Sequence, residues 1–65
     1  MSKEADFLIY CMERYRYLNR LSGADVAKIF DKYNVYEYIK KYFQVLHTMG
    51  DNYIVKDIDD YIKRF

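Results

Sequence analysis

The chain contains no proline and only two glycines, Gly23 and Gly50. Proline and glycine are the strongest local interruptions of regular structure. A sequence of 65 residues with two such points is therefore expected to run as a few helical segments. Gly23 and Gly50 divide it into an N-terminal helix, a central pair and a C-terminal helix.

Size narrows the choice further. A chain this short forms one domain at most, residues 1–65, and buries only about 60% of the surface exposed by its unfolded form. Small proteins commonly compensate with disulfides, metals or association. The single cysteine, Cys11, excludes an internal disulfide, and the sequence has no Cys/His cluster for a structural zinc. A dense aromatic core or a partner remains. Nine Tyr and four Phe make the chain 20% aromatic, and each such side chain buries roughly 150–250 Å². A hydrophobic fraction of 52% excludes a disordered tail. A formal charge of +1 gives no strong long-range pull toward nucleic acid or acidic membranes. The apolar run Phe7–Met12 is flanked by charges on both sides. It is too short to span a membrane, and no small-residue cleavage site follows it. The expected compartment is the cytoplasm.

The periodicity predicts helix 1 over about Lys3–Leu18, with Leu8, Cys11, Tyr15 and Leu18 as a helical stripe. Phe7, Ile9, Tyr10 and Met12 widen that stripe almost around the helix, as in helices covered on more than one side. Ser22 is a good N-cap, Asp25 sits at N3, and Leu21 and Val26 are spaced for a hydrophobic staple. Helix 2 then presents Val26, Ile29, Phe30 and Tyr33, and Asn34 suits a left-handed C-cap. A third helix carries Ile39, Tyr42, Phe43 and Leu46 inward, with Lys40, Lys41 and Gln44 opposite. Gly50 is expected as a left-handed C-cap or turn. Tyr53-Ile54-Val55 is β-prone, and a last helix follows with Ile58, Tyr61, Ile62 and Phe65 inward. The expected fold is all-α: a compact four-helix small domain with at most a short two-strand β-bridge between Leu21-Ser22 and Tyr53–Val55. The two-helix piece around Gly23 and Asn34 has roughly helix-turn-helix proportions.

Four features bear on chemistry. His47 is the only histidine. A catalytic histidine needs a nucleophile to activate or a carboxylate to orient it, and nothing marks Thr48 or Asp51 as that partner. His47 is read as capping the end of its helix or as touching a partner. Cys11 lies within Phe-Leu-Ile-Tyr-Cys-Met, where an apolar setting raises a thiol's pKa and makes it inert. Asp57, Asp59 and Asp60 lack the spacing of a calcium loop and suit a helix start. Arg14, Arg16, Arg20, Lys40, Lys41, Lys63 and Arg64 are interleaved with aromatics, as in nucleic-acid binders, but acidic residues offset them. No metal, cofactor or catalytic set is expected, and the chain is not read as an enzyme.

The tyrosines are too many to face inward in so small a body, and tyrosine is enriched at protein interfaces. The expected interface residues are Phe7, Tyr10, Met12 and Tyr17 on helix 1. Tyr36, Tyr38 and His47 join them from the third helix.

The order of parts also carries a resemblance. An apolar first helix is followed by Leu-Ser-Gly, Phe-Asp-Lys-Tyr, a Tyr-Ile pair, Leu46-His47-Thr48 with Gly50, and a closing Tyr-Ile-Val-x-Asp-Ile. This resembles a family of small uncharacterised bacterial domains with a Leu-His-Thr-x-Gly motif, whose members tend to be encoded beside larger toxin-like proteins. The resemblance covers nearly the whole chain and assigns no catalytic residue. It implies a small accessory or neutralising partner. The function expected is thus a cytoplasmic protein–protein interaction module, homodimeric or antitoxin-like. The alternative is a helix-turn-helix-like DNA-binding regulator.

Overall fold

Two serines set where the first helices begin. In the computed structural model, which describes residues 2–65, Ser2 is extended and its Oγ accepts from the Ala5 N–H at 3.1 Å. Glu4 and Asp6 occupy the first turn of the helix that follows, α1 (Lys3–Asn19), near its positive end. Ser22 starts α2 (Gly23–Lys32) with the reciprocal capping box that the spacing predicts. Its Oγ accepts from the Asp25 N–H at 3.1 Å, and the Asp25 carboxylate accepts from the Ser22 N–H at 3.4 Å.

The two left-handed residues of the described chain are Arg20 (φ 55°) and Asn34 (φ 56°). Asn34 is left-handed as expected, but the C-cap of α2 is Tyr33, and Asn34 stands directly before α3 (Val35–Lys41). Arg20 carries no sequence mark. Its conformation costs roughly 1–2 kcal/mol, offset because the Leu21 N–H then reaches the Arg16 carbonyl at 3.0 Å and closes the end of α1.

The third predicted helix divides at Tyr42 (φ −106°, ψ 21°) into α3 and a single turn, α4 (Phe43–Leu46). There are thus five helical segments where four were expected. Adjacent aromatic residues lose side-chain freedom in a helix. The break keeps Ile39 and Leu46 buried, while Tyr42, expected inward, is 42% exposed. Gly50 is not left-handed. It is extended (φ −72°, ψ 161°) and forms the N-cap of α5 (Asp51–Ile62). The preceding carbonyls are already satisfied, Val45 O by the Thr48 hydroxyl at 2.7 Å and Leu46 O by the Met49 N–H at 3.0 Å.

The described residues contain no strand, and the expected bridge between Leu21-Ser22 and Tyr53–Val55 is overturned, because Tyr53–Val55 lie inside α5. Ile54, Val55 and Ile58 are all buried on one side of that helix. Their burial outweighs β-propensity, which depends on context. Phe65, expected inward, is 73% exposed and only leans on Tyr33 and Tyr61. Leu18, expected in the inner stripe of α1, is also exposed.

The core gathers Cys11 and Tyr15 from α1, Val26 and Phe30 from α2, Val35 and Ile39 from α3, Leu46 from α4, and the three α5 residues. Phe30 is its centre, edge-on to Tyr15 at 5.4 Å and to Tyr36 at 5.7 Å. Three polar ties fasten α5. Arg14 Nε lies 3.0 Å from Asp51 Oδ2, close enough to pair although not aligned as a hydrogen bond. Tyr38 donates to Asp57 at 2.5 Å, and Tyr61 donates to the Tyr33 carbonyl at 2.8 Å. The radius of gyration is 10.8 Å, matching the ~10.7 Å of a close-packed domain of this length. Among the described residues, no helix is long and apolar enough to cross a membrane.

Candidate functional site

His47 follows directly on α4, and its ring stays with its own helix. Nδ1–H donates to the Phe43 carbonyl at 2.8 Å, which fixes the proton on that nitrogen. The ring stacks on Phe43 with centroids 4.8 Å apart and planes 13° from parallel. Phe43 in turn meets Phe7 edge-on at 5.4 Å, and Phe7 stacks with Tyr10 at 6.1 Å. A continuous aromatic ridge results, Tyr10–Phe7–Phe43–His47, joining α1 to α4. Phe43 is its hub. The sequence pattern assigned Phe43 to the inner stripe, yet it is only half-buried. The signal that could have found it is its four-residue spacing from His47, which puts both rings on one helical face.

The ridge is accessible at its ends. His47 is exposed and Tyr10 is 41% exposed, with the large apolar Val45 also open on α4. Tyr17 extends the same flank of α1. It is 65% exposed, and the Arg14 guanidinium sits over its ring at 5.2 Å. Of the seven residues expected at an interface, Phe7, Tyr10 and His47 are thus brought together, and Tyr17 lies along the same flank.

Met12, Tyr36 and Tyr38 have other roles. Met12 and Tyr36 are half-buried and pack on the core. The Tyr38 ring stacks on Tyr61 at 4.0 Å. Burial, and then the hydrogen bond to Asp57, push the Tyr38 hydroxyl up to about 12. Cys11 is fully buried, and burial pushes its thiol up to about 12, so it stays protonated and unreactive near neutral pH. No group of three or more His, Cys, Asp or Glu among the described residues is placed to hold a metal ion.

Two depressions flank α3. A groove of about 260 Å³ runs between α1 and α3 over Ala5, Leu8, Tyr36, Ile39 and Phe43. An open cleft of about 640 Å³ lies on the other side, lined by Tyr38, Lys40, Lys41, Tyr42, Tyr61 and Arg64. Glu37 and Lys40 border both. The periodicity had placed Lys40 and Lys41 on a solvent face. Their proximity to Arg64 depends on how α5 packs and is not legible in the local sequence.

No curated protein and no solved structure matches the chain. One protein family does, that described as "Protein of unknown function (DUF3791)", over residues 6–64. With nearly its whole length matched, the chain belongs to that family.

Proposed function

We propose that this chain is a protein–protein interaction module that presents the α1/α4 ridge to a partner. The observation that carries the reading is the ridge itself: four rings in a row, Tyr10 stacked on Phe7, Phe7 edge-on to Phe43 and Phe43 stacked on His47, with Tyr10 and His47 open to solvent. Aromatic side chains that keep a polar edge dominate the energetics of protein interfaces. The form of partnership we favour is a small cytoplasmic accessory or antitoxin-like subunit of a larger protein, with a homodimer as the simpler arrangement. Light scattering coupled to size exclusion, together with affinity capture from source cells, tests the proposal. The expected result is a dimer or a retained partner, with the association weakened about tenfold or more by Tyr10→Ser. A stable monomer that retains nothing overturns it.

A second reading, a helix-turn-helix-like DNA-binding regulator, rests on one observation. Tyr33 and Asn34 join α2 to α3 in a tight turn, and α3 carries Lys40 and Lys41 exposed. It predicts duplex binding that weakens steeply as salt rises. A complete lack of duplex binding at low salt would end it.

A further inference from the structure

We infer that the cleft between α3 and the end of α5 receives a short acidic segment of a protein partner, with an apolar side chain of that segment seated in the neighbouring groove. The inference rests on the interaction reading above and names the partner's chemistry.

The first argument is charge. Lys40, Lys41 and Arg64 line the cleft and Glu37 borders it, which leaves a local charge of +2 on a chain whose formal total is +1. Among the described residues, the ion pairs are Arg14–Asp51 and Arg16–Glu13. None of the three cleft cations is paired. Asp57, which is not among the lining residues, accepts from the Tyr38 hydroxyl through one of its oxygens. The lining of the cleft therefore carries three cationic donors against one carboxylate, Glu37.

The second argument is the floor. Tyr38 and Tyr61 are stacked at 4.0 Å, and both hydroxyls are already engaged, with Asp57 and with the Tyr33 carbonyl. They offer ring surface rather than hydroxyl donors. Tyr42 forms a wall with Lys41 Nζ 5.4 Å from its ring centroid. Such a surface suits the stem and carboxylate of a Glu or Asp side chain.

The third argument is continuity. The apolar groove over Leu8, Ile39 and Phe43 begins where the cleft ends, and Glu37 and Lys40 border both. A peptide crossing α3 would meet cations on one side and apolar surface on the other. A nucleic-acid strand fits less well. A phosphate backbone needs a track of cations along its length, whereas here the cations form one cluster interrupted by Glu37.

Fluorescence anisotropy of the full chain with a labelled peptide of alternating Glu and Leu or Phe tests this. Saturable binding that weakens with added salt is expected. The double variant Lys41→Glu/Arg64→Glu should lose about tenfold or more in affinity. Lys28→Glu/Lys56→Glu makes the same charge change at exposed positions outside the cleft and should leave affinity within about twofold. The Gln-for-Glu peptide, measured on the unmodified protein, should lose the binding whatever the variants' folding. Equal binding of the Gln peptide overturns the inference, as does an equal loss in the control variant. Tighter binding of a single-stranded oligothymidylate at the same cleft also overturns it. A partner still captured through Tyr10 while the acidic peptide fails to bind would leave the ridge reading intact and remove this one alone.

Discussion

Raising the pH should destabilise this protein in part through its thiol, and removing the thiol should blunt that response. Cys11 is fully buried, and its pKa is lifted by that burial from 9.0 to about 12. A group whose folded pKa is raised contributes stability that is complete below the unfolded value. That stability is lost as pH climbs toward the folded value. The window is therefore about pH 9 to 12. Near pH 11 the unfolded thiol is about a hundredfold in favour of thiolate while the folded thiol remains mostly protonated. The difference is worth about 2.7 kcal/mol. A domain of this length has roughly 3–10 kcal/mol in total, so the loss is a large share. Cys11→Ala is expected to cost about 1 kcal/mol at neutral pH through lost packing. Above about pH 9 its stability should fall less steeply than that of the unsubstituted protein. Tyr15, raised by burial and then by the Asp59 carboxylate, and Tyr38 add a steeper loss common to both proteins at higher pH. Urea unfolding followed by circular dichroism under reducing conditions, repeated at steps from about pH 8 to 11, measures the difference. Parallel curves for the two proteins would refute the reasoning, because they would mean that the thiol ionises without unfolding the core.

Other substitutions have signed outcomes in the same urea assay. Tyr61→Phe removes the hydroxyl that satisfies the Tyr33 carbonyl and should cost about 1 kcal/mol. Gly23→Ala places a methyl group in open space at a helical position without positive φ and should add about 0.5–1 kcal/mol. Asn34→Gly should be neutral or stabilising, whereas Asn34→Val should cost at least 1 kcal/mol or so, because the position is left-handed and a β-branched residue resists it. Phe30→Ala should cost about 3–5 kcal/mol, enough to leave the domain largely unfolded by circular dichroism at ambient temperature.

The junctions on either side of α2 were the most legible part of the sequence, because a cap acts within four residues. Ser22 with Asp25 is found where its spacing placed it, and Asn34 is left-handed as expected, one residue past the C-cap Tyr33. Features decided by distant residues were not legible. Tyr53–Val55 look like a strand alone, but α5 buries Ile54 and Val55 against residues far away in the chain. Arg20 turns left-handed because α1 must close there, and no property of arginine announces it. The surface shows the same division. Phe7 and Tyr10 stood out in the sequence through the apolar width of helix 1 and His47 as the single histidine at a helix end, whereas their hub Phe43 did not, because only the break at Tyr42 distinguishes a half-buried ring from a core one. The cleft around Lys41 and Arg64 joins residues at opposite ends of a long sequence interval, which no local pattern encodes.

The three polar ties that fasten α5 have a consequence for biosynthesis. Arg14, Tyr33 and Tyr38 each find their partner on that helix, and Ile54, Val55 and Ile58 complete the core from it. A nascent chain that has released α1 to α4 still lacks one wall of its interior and every one of these ties. Folding is therefore expected to wait until α5 has cleared the ribosome and then to proceed in one step. An arrested chain ending before Asp51 should be digested readily by protease, and one extended by a linker past Phe65 should resist.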